Sequence, residues 1–237
     1  MEQIYTIPVN EAFEASAADK SCGCPICALY NKLEEDELDL ILGASMMEPD
    51  VRIQTNKEGF CRTHYDMMFT RKNRLGMALT MQSHMDELLR DTRVSGGLFG
   101  DGGSRASGRI AKLEENCYVC RRIAFNFEHM LETVVLLWDS DEDFPAKLAA
   151  QPYFCLPHYR RLLEYGKARL SRKKYPEFTK ACAAVVEPYF EKLKGDIDWF
   201  CKKFDYRYEE EPWYDSKDAV ERAIKFLRSD LHQGKKK

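Results

Sequence analysis

Phe60-Cys61-Arg62-Thr63-His64-Tyr65 is the stretch that decides how this chain folds, because it returns as Phe154-Cys155-Leu156-Pro157-His158-Tyr159. Each copy follows a Cys-x-x-Cys knuckle, the first ending at Cys27 and the second at Cys120. Between the knuckle and the cysteine of the next motif lie 33 residues in the first half and 34 in the second. Matched motifs at matched spacing indicate an internal repeat.

The ligand types in this repeat predict metal binding. Three thiolates and one imidazole form a tetrahedral zinc site, and a Cys and a His three residues apart on a helix share one face. Four protein ligands leave no open coordination position, so we expect two structural zinc ions per chain. The eight candidate ligands are Cys24, Cys27, Cys61, His64, Cys117, Cys120, Cys155 and His158.

The pairing of the motifs stays open at this point. The first knuckle could share an ion with Cys61 and His64, or cross the chain to Cys155 and His158. The near-equal spacing within each half favours the local pairing.

Three other interpretations compete with zinc. The residues could be small buried cysteines and core histidines without a metal. An iron–sulfur cluster usually takes four cysteines, although histidine can substitute. Cys22 could supply a fourth thiolate in the first half, but Glu115 stands at that position in the second. A thiol redox site on either knuckle is disfavoured, because metal ligation silences the thiolates.

A second set of polar residues appears when the halves are aligned on their knuckles. Carboxylates one helical turn apart recur in both halves and could bind a pair of harder metals, which would make an open, catalytic centre. A charged stripe opposite an apolar helix face is more often solvated surface. The residues concerned are Glu35, Asp39, Glu128, His129 and Glu132, with Asp36 at the position of His129.

Apolar residues at spacings of three, four and seven predict helices throughout, and no strand pattern occurs. We therefore expect an all-α fold of two related helical repeats, each pinned by a Cys3His metal site. Residues 95–108 hold six of the thirteen glycines, a composition typical of a flexible linker. The expected domains are a repeat at 1–94, a linker at 95–109, a repeat at 110–205, and an extended segment with a C-terminal helix at 206–237, packing back on the core.

The two ends carry weaker patterns. Tyr5–Asn10 is too short and too interrupted by Pro8 to form a core helix, and a short Ala-rich stretch, Glu11–Ala18, follows it. Near the other end, residues 206–213 look extended, and Ser216 is a suitable N-cap for the last helix.

Composition excludes some classes of function. A net charge of −3 gives no reason to expect nucleic-acid binding. The longest wholly apolar run, Val134–Trp138, is far shorter than the roughly 20 residues that a bilayer requires. The opening residues lack the features of a signal peptide. We therefore expect a cytoplasmic protein, in which clustered cysteines stay reduced.

Several further stretches have specific patterns: Tyr5–Phe13, Cys24–Cys27, Glu37–Gly43, Asn56–His64, Phe204–Arg207, Pro212–Trp213 and Ser216–Ala219. Together they resemble an uncharacterised bacterial family, a domain of unknown function frequent in anaerobic Firmicutes. The resemblance extends nearly end to end and implies a bacterial cytoplasmic setting, but it implies no activity.

Two functional hypotheses follow. The chain carries no nucleophile elbow, phosphate loop or dinucleotide fingerprint, which favours a zinc-stabilised interaction or scaffold module whose protein partner is unknown. The alternative is a metalloenzyme or redox protein that uses an iron–sulfur centre or the carboxylate site. The oligomeric state is open.

Overall fold

The computed structural model describes residues 3–94 and 101–233, which form eleven α-helices joined by short loops and 3₁₀ turns, without a strand. The expectation of an all-α fold is confirmed. The helices are Gln3–Ala18 (α1), Pro25–Leu42 (α2), Pro49–Glu58 (α3), Arg62–Thr70 (α4), Arg74–Thr92 (α5), Gly102–Glu115 (α6), Tyr118–Ser140 (α7), Phe144–Ala149 (α8), Leu156–Arg169 (α9), Lys174–Lys202 (α10) and Ala219–Arg228 (α11).

The described residues divide into two compact units, named here for their order along the chain. The inner unit contains residues 32–94 and 101–126, and the outer unit contains residues 3–31 and 127–233. The boundaries fall within α2 and α7. The units therefore cut across the sequential domains expected from the repeat, because each unit combines the knuckle of one repeat with the Phe-Cys-x-x-His motif of the other.

In the inner unit, α5 packs against both α3 and α6. The Asp101 carboxylate accepts a hydrogen bond from the backbone N–H of Ser104 at 3.1 Å, which caps α6, and Ala106 is buried. The expectation of a flexible linker is therefore wrong from Gly102 onward, and residues 95–100 lie outside the described part of the chain. Packing and capping outweigh the low helix propensity of glycine here.

In the outer unit, α1 is a core helix despite Pro8, which corrects the expectation for the N-terminal segment. Val9 and Phe13 are fully buried, and the Phe13 ring lies 5.0 Å from that of Phe144. Proline inside a helix costs about 3 kcal/mol. Burying two large apolar side chains contributes roughly 1.5–3 kcal/mol each, so the helix is retained.

The C-terminal segment of the outer unit is not extended, contrary to expectation. Tyr206–Tyr208 forms a 3₁₀ turn, and the nearby indole of Trp199 donates a hydrogen bond to the Pro212 carbonyl at 3.0 Å. Ser216 lies in a second 3₁₀ turn rather than capping α11. Helix α11 packs against α9 and α10 and buries Phe226.

Among the helices of the described residues, none combines the length and the apolar character needed to cross a bilayer.

Candidate metal centres

All eight predicted ligands come together in two quartets. In each quartet the four candidate ligand atoms lie within 4.8 Å of one another. The outer cluster is Cys24, Cys27, Cys155 and His158, and the inner cluster is Cys61, His64, Cys117 and Cys120. The expectation of local pairing is therefore wrong, because each knuckle meets the Phe-Cys-x-x-His motif of the other repeat.

Each cluster is built at the N-termini of two helices. Cys61 and Cys155 occupy the N-cap positions of α4 and α9, and the histidines follow one turn later. The knuckles lie at the starts of α2 and α7. Because the positive end of the helix dipole favours negative charge, these positions stabilise thiolates.

The outer cluster has the spacing of a tetrahedral site. Metal–sulfur bonds of about 2.3 Å and a metal–nitrogen bond of about 2.0 Å separate two sulfurs by about 3.8 Å and a sulfur from the nitrogen by about 3.5 Å. The Sγ atoms of Cys27 and Cys155 lie 3.7 Å apart. His158 Nδ1 lies 3.7, 3.4 and 3.1 Å from the sulfurs of Cys24, Cys27 and Cys155.

The inner cluster has the same spacing. The Sγ atoms of Cys61 and Cys120 lie 3.9 Å apart. His64 Nδ1 lies 3.1, 3.3 and 3.4 Å from the sulfurs of Cys61, Cys117 and Cys120. In both clusters the histidine therefore presents Nδ1, and one ion fits among the four ligand atoms.

A glycine beside each cluster permits a close approach of the backbone. Gly59 has φ +65°, and an added Cβ would collide with the Leu113 side chain. Its carbonyl accepts a hydrogen bond from the N–H of Tyr118 at 3.0 Å, which ties the second knuckle to the segment before Cys61. Gly23 has φ +73°, and a Cβ added there would lie only 2.9 Å from the Tyr153 hydroxyl oxygen. Only glycine adopts this backbone conformation without strain.

The inner histidine is oriented by Glu34, the first residue of an acidic run on α2. Glu34 is buried, and its Oε1 lies 3.0 Å from His64 Nε2. A carboxylate on the second imidazole nitrogen fixes the tautomer and the ring orientation of a metal-binding histidine. The signal was available in the sequence: Glu34 follows Cys27 by seven residues and so lies on the same helix face.

The outer histidine has an aromatic neighbour instead. The Phe127 ring packs edge-on against His158 with centroids 5.5 Å apart. Phe127 follows Cys120 by seven residues, the position that Glu34 has after Cys27. The two halves therefore place different chemistry at equivalent positions.

A C-terminal strap, residues 229–233, contacts the outer cluster through Ser229 and Asp230. The Ser229 Oγ lies 3.1 Å from the Cys155 sulfur, and the Asp230 N–H donates to the Cys27 sulfur at 3.4 Å. The Asn31 side chain donates to the Asp230 carbonyl at 2.8 Å and fixes the strap to α2. Hydrogen bonds to a thiolate sulfur stabilise its charge.

The two clusters differ in exposure. All four residues of the outer cluster are buried. In the inner cluster His64 and Cys117 are buried, Cys61 is half-buried and Cys120 is exposed. Solvent therefore reaches one edge of the inner cluster.

In the metal-free inner cluster the protons are distributed unequally. Hydrogen bonds from Cys120, and then from His64, lower the pKa of Cys117 to about 3 against the opposing effect of burial. The same hydrogen bond raises the pKa of Cys120 well above the usual range. Burial lowers the pKa of His64, but hydrogen bonds to Cys117 and Glu34 outweigh it and raise the pKa to about 10.

The metal-free outer cluster behaves similarly. Burial raises the pKa of Cys24, and a hydrogen bond to Cys155 raises that of Cys27 to about 12. Hydrogen bonds from both of these thiols lower the pKa of Cys155 well below the usual range. Each metal-free cluster therefore contains one thiolate that attracts a cation. The other ligands release their protons when a metal binds.

The carboxylates of the hypothetical second site have other partners. Glu128 pairs with Arg161 at 3.1 Å and accepts a hydrogen bond from the Tyr165 hydroxyl at 2.7 Å. Glu132 pairs with Arg169 at 3.0 Å, and in the inner unit Asp39 pairs with Arg71 at 3.2 Å. The His129 ring stacks on Tyr5. Within the described residues, neither these groups nor Glu35 belong to any cluster able to hold a metal.

The remaining cysteines stand apart from both clusters. Cys22 and Cys201 are exposed, and Cys182 is buried in α10. A cavity of about 910 Å³ in the outer unit borders Cys24 and Cys27. On its wall Lys225 pairs with Asp230 at 2.8 Å and Arg222 pairs with Asp218 at 2.9 Å.

Comparison with curated proteins gives no match, and neither does comparison with solved structures. A family model described as "Family of unknown function (DUF6062)" matches residues 1–234, which agrees with the resemblance seen in the sequence. The chain, with its two Cys3His clusters, belongs to this family.

Proposed function

We propose that each cluster binds one structural zinc ion and that the protein is an interaction or scaffold module rather than an enzyme. The observation that carries the proposal is the geometry of the quartets: eight ligand atoms from distant segments form two groups with tetrahedral spacing. A reducing cytosolic setting is part of the proposal, because the thiolates must stay unoxidised.

The ligand set favours zinc over the alternatives. Zinc accepts three thiolates and an imidazole without a redox requirement. The ligands of an iron–sulfur cluster bind different iron atoms and are held apart by the cluster, whereas each quartet here fits within 4.8 Å. A single iron ion satisfies the same spacing, so metal analysis has to separate iron from zinc.

A structural role follows from the saturation of both sites. Four protein ligands leave no position for water or substrate. The ligand pairs are far apart in sequence, so metal binding supplies folding free energy, on the order of 10–16 kcal/mol in small zinc domains. That is comparable to the total stability of a typical domain, roughly 5–15 kcal/mol.

The enzymatic alternative loses its main support. A carboxylate-bridged metal pair requires free carboxylates, but Glu128, Glu132 and Asp39 are engaged in ion pairs with arginines. The enzymatic hypothesis that remains is a redox function of a mononuclear iron centre, and elemental analysis for iron tests it.

Elemental analysis of protein purified without oxygen tests the proposal directly. We expect two zinc ions per chain and a colourless protein, with the same content in a Cys201→Ser control, because Cys201 belongs to neither cluster. Iron in place of zinc, or a metal content near zero, contradicts the proposal.

Cobalt substitution tests the absence of an open site. A Co²⁺-loaded protein should show the absorption of tetrahedral sulfur-rich coordination, and added azide should leave the spectrum unchanged. A spectral change on adding azide would favour the catalytic alternative.

A further inference from the structure

Cys120 and Cys61 form an accessible pair of cysteines at the edge of the inner cluster. Cys120 is exposed and Cys61 is half-buried, and their sulfurs lie 3.9 Å apart. The other two inner ligands, His64 and Cys117, are buried. A reagent from solvent therefore meets this pair first.

Zinc ligation keeps Cys120 deprotonated but lowers its nucleophilicity, so exposure decides which ligand a peroxide reaches. Cys120 lies in the first turn of α7, where the helix dipole also favours a thiolate. Thiolate character together with exposure determines which cysteines are oxidised.

We propose that the Cys120–Cys61 pair is a site of oxidative modification by peroxides, and that its oxidation releases the inner zinc while the outer zinc stays bound. The proposal rests on the proposed zinc function. The proposal extends the zinc function by assigning oxidation by peroxide to the inner cluster and not to the outer cluster.

The reaction balances with hydrogen peroxide as the oxidant. The Cys120 thiolate attacks one peroxide oxygen, the O–O bond breaks, and a sulfenic acid and hydroxide form. The Cys61 thiolate then attacks the sulfenic sulfur, an S–S bond forms, and a second hydroxide leaves. Two protons from solvent convert the hydroxides to water. The disulfide would leave only His64 and Cys117 to hold an ion in the inner cluster, so bound zinc would be released.

The outer cluster is protected by its strap. Ser229 and Asp230 cover the sulfurs of Cys155 and Cys27, and all four of its ligands are buried. Cys24 and Cys27 are only 2 % and 4 % exposed even though they border the cavity, so a peroxide reaches these sulfurs more slowly than that of Cys120.

The test uses the zinc-loaded full chain in which both exposed cysteines outside the clusters are replaced, Cys22→Ser and Cys201→Ser. Zinc is counted by elemental analysis before oxidation. Hydrogen peroxide is then added, zinc release is followed with a chromogenic chelator, and disulfides are mapped by peptide mass spectrometry. We expect one zinc equivalent per chain to leave at least roughly tenfold faster than the other, together with a Cys61–Cys120 disulfide.

The outcomes separate the two proposals. If the protein holds no zinc before oxidation, the zinc function itself fails. If two zinc ions are present and leave at equal rates, or the first disulfide involves Cys24, Cys27 or Cys155, the oxidation proposal fails and the zinc function stands. Reduction with dithiothreitol and added zinc should restore the second equivalent, which distinguishes the reaction from irreversible damage.

Discussion

The outer and inner clusters have identical ligand sets but different surroundings. The outer cluster is buried beneath residues 229–233, whereas the inner cluster exposes Cys120 to solvent. Metal affinity and metal exchange depend on solvent access as well as on ligand identity. Two sites that are indistinguishable in sequence motif are therefore expected to behave differently.

A single pair of equivalent positions contributes to this difference. Seven residues after each knuckle, the first half has Glu34 and the second has Phe127. Glu34 accepts a hydrogen bond from the inner histidine, His64, and Phe127 packs against the ring of the outer histidine, His158. The inner imidazole is thus held by charge and the outer imidazole by packing.

The largest effect should come from removing an outer ligand. Cys155→Ser should lose the outer zinc and unfold the outer unit, because the metal supplies free energy comparable to the stability of a domain. The measurement is zinc content together with helicity by circular dichroism. Cys182→Ala, a buried cysteine outside the clusters, is the control and should keep both zinc ions. Full helicity after loss of the outer zinc would show that the metal is not structural.

Next in size is the effect of Glu34 on the inner cluster. Glu34→Ala leaves His64 Nε2 without this acceptor, and inner zinc affinity should fall roughly 10–100-fold, while outer affinity is unchanged. Competition with a chelator of known affinity resolves the two sites. Asp36→Asn, an exposed neighbour that pairs with Lys32, is the matched control. Equal weakening of both sites would contradict the assignment of Glu34 to the inner histidine.

A smaller effect should follow from loosening the strap. Asp230→Pro removes the N–H that is donated to the Cys27 sulfur and disfavours the φ of +71° at Ser229. Exchange of the outer zinc should accelerate several-fold, toward the rate of the inner one. The comparison is Asp230→Ala, which keeps the N–H and loses only the ion pair with Lys225. Unchanged exchange in the proline variant would mean that the strap does not protect the cluster.

The smallest effect is the pH dependence of the free energy of unfolding of the metal-free protein. His64 has its pKa raised from 6.5 to about 10, so its contribution to stability is full below pH 6.5 and lost as pH rises through 10. Cys117 has its pKa lowered from 9.0 to about 3, so its contribution is full above pH 9 and lost as pH falls through 3.

Together the two groups bind as many protons in the folded as in the unfolded chain between about pH 6.5 and 9. Their contribution to the free energy of unfolding should therefore be flat in this window and decline on both sides. Urea unfolding of the metal-free protein against pH measures it. In Cys117→Ser the plateau should disappear, and its persistence would assign it to other groups.

Much of the site was predictable because the chemistry of ligands is local. The eight residues and the helix starts that carry them follow from the motifs alone. The pairing does not, because the two halves offer chemically identical partners and spacing along the chain cannot choose between them. Glu34 was hidden within an acidic run, although its distance from Cys27 places it on the buried face.

The errors in the predicted fold, like the error in the pairing, arise because contacts between distant segments are not visible in local sequence. Helix α6 and helix α1 contradict the local signals of glycine and proline, and both are retained by contacts with distant elements. Composition describes the preference of an isolated segment, whereas packing in the finished unit decides the outcome.

The crossed pairing has a consequence for a chain emerging from the ribosome. Until Cys117 is translated, the one complete quartet of Cys-x-x-Cys and Phe-Cys-x-x-His motifs on offer is Cys24, Cys27, Cys61 and His64, which the mature protein does not use. A metal ion bound to this early quartet would have to dissociate before the final pairing forms. The inner site is completed when Cys120 appears, and the first knuckle waits for His158. The order of synthesis thus presents a complete ligand set before the set of the folded protein can form.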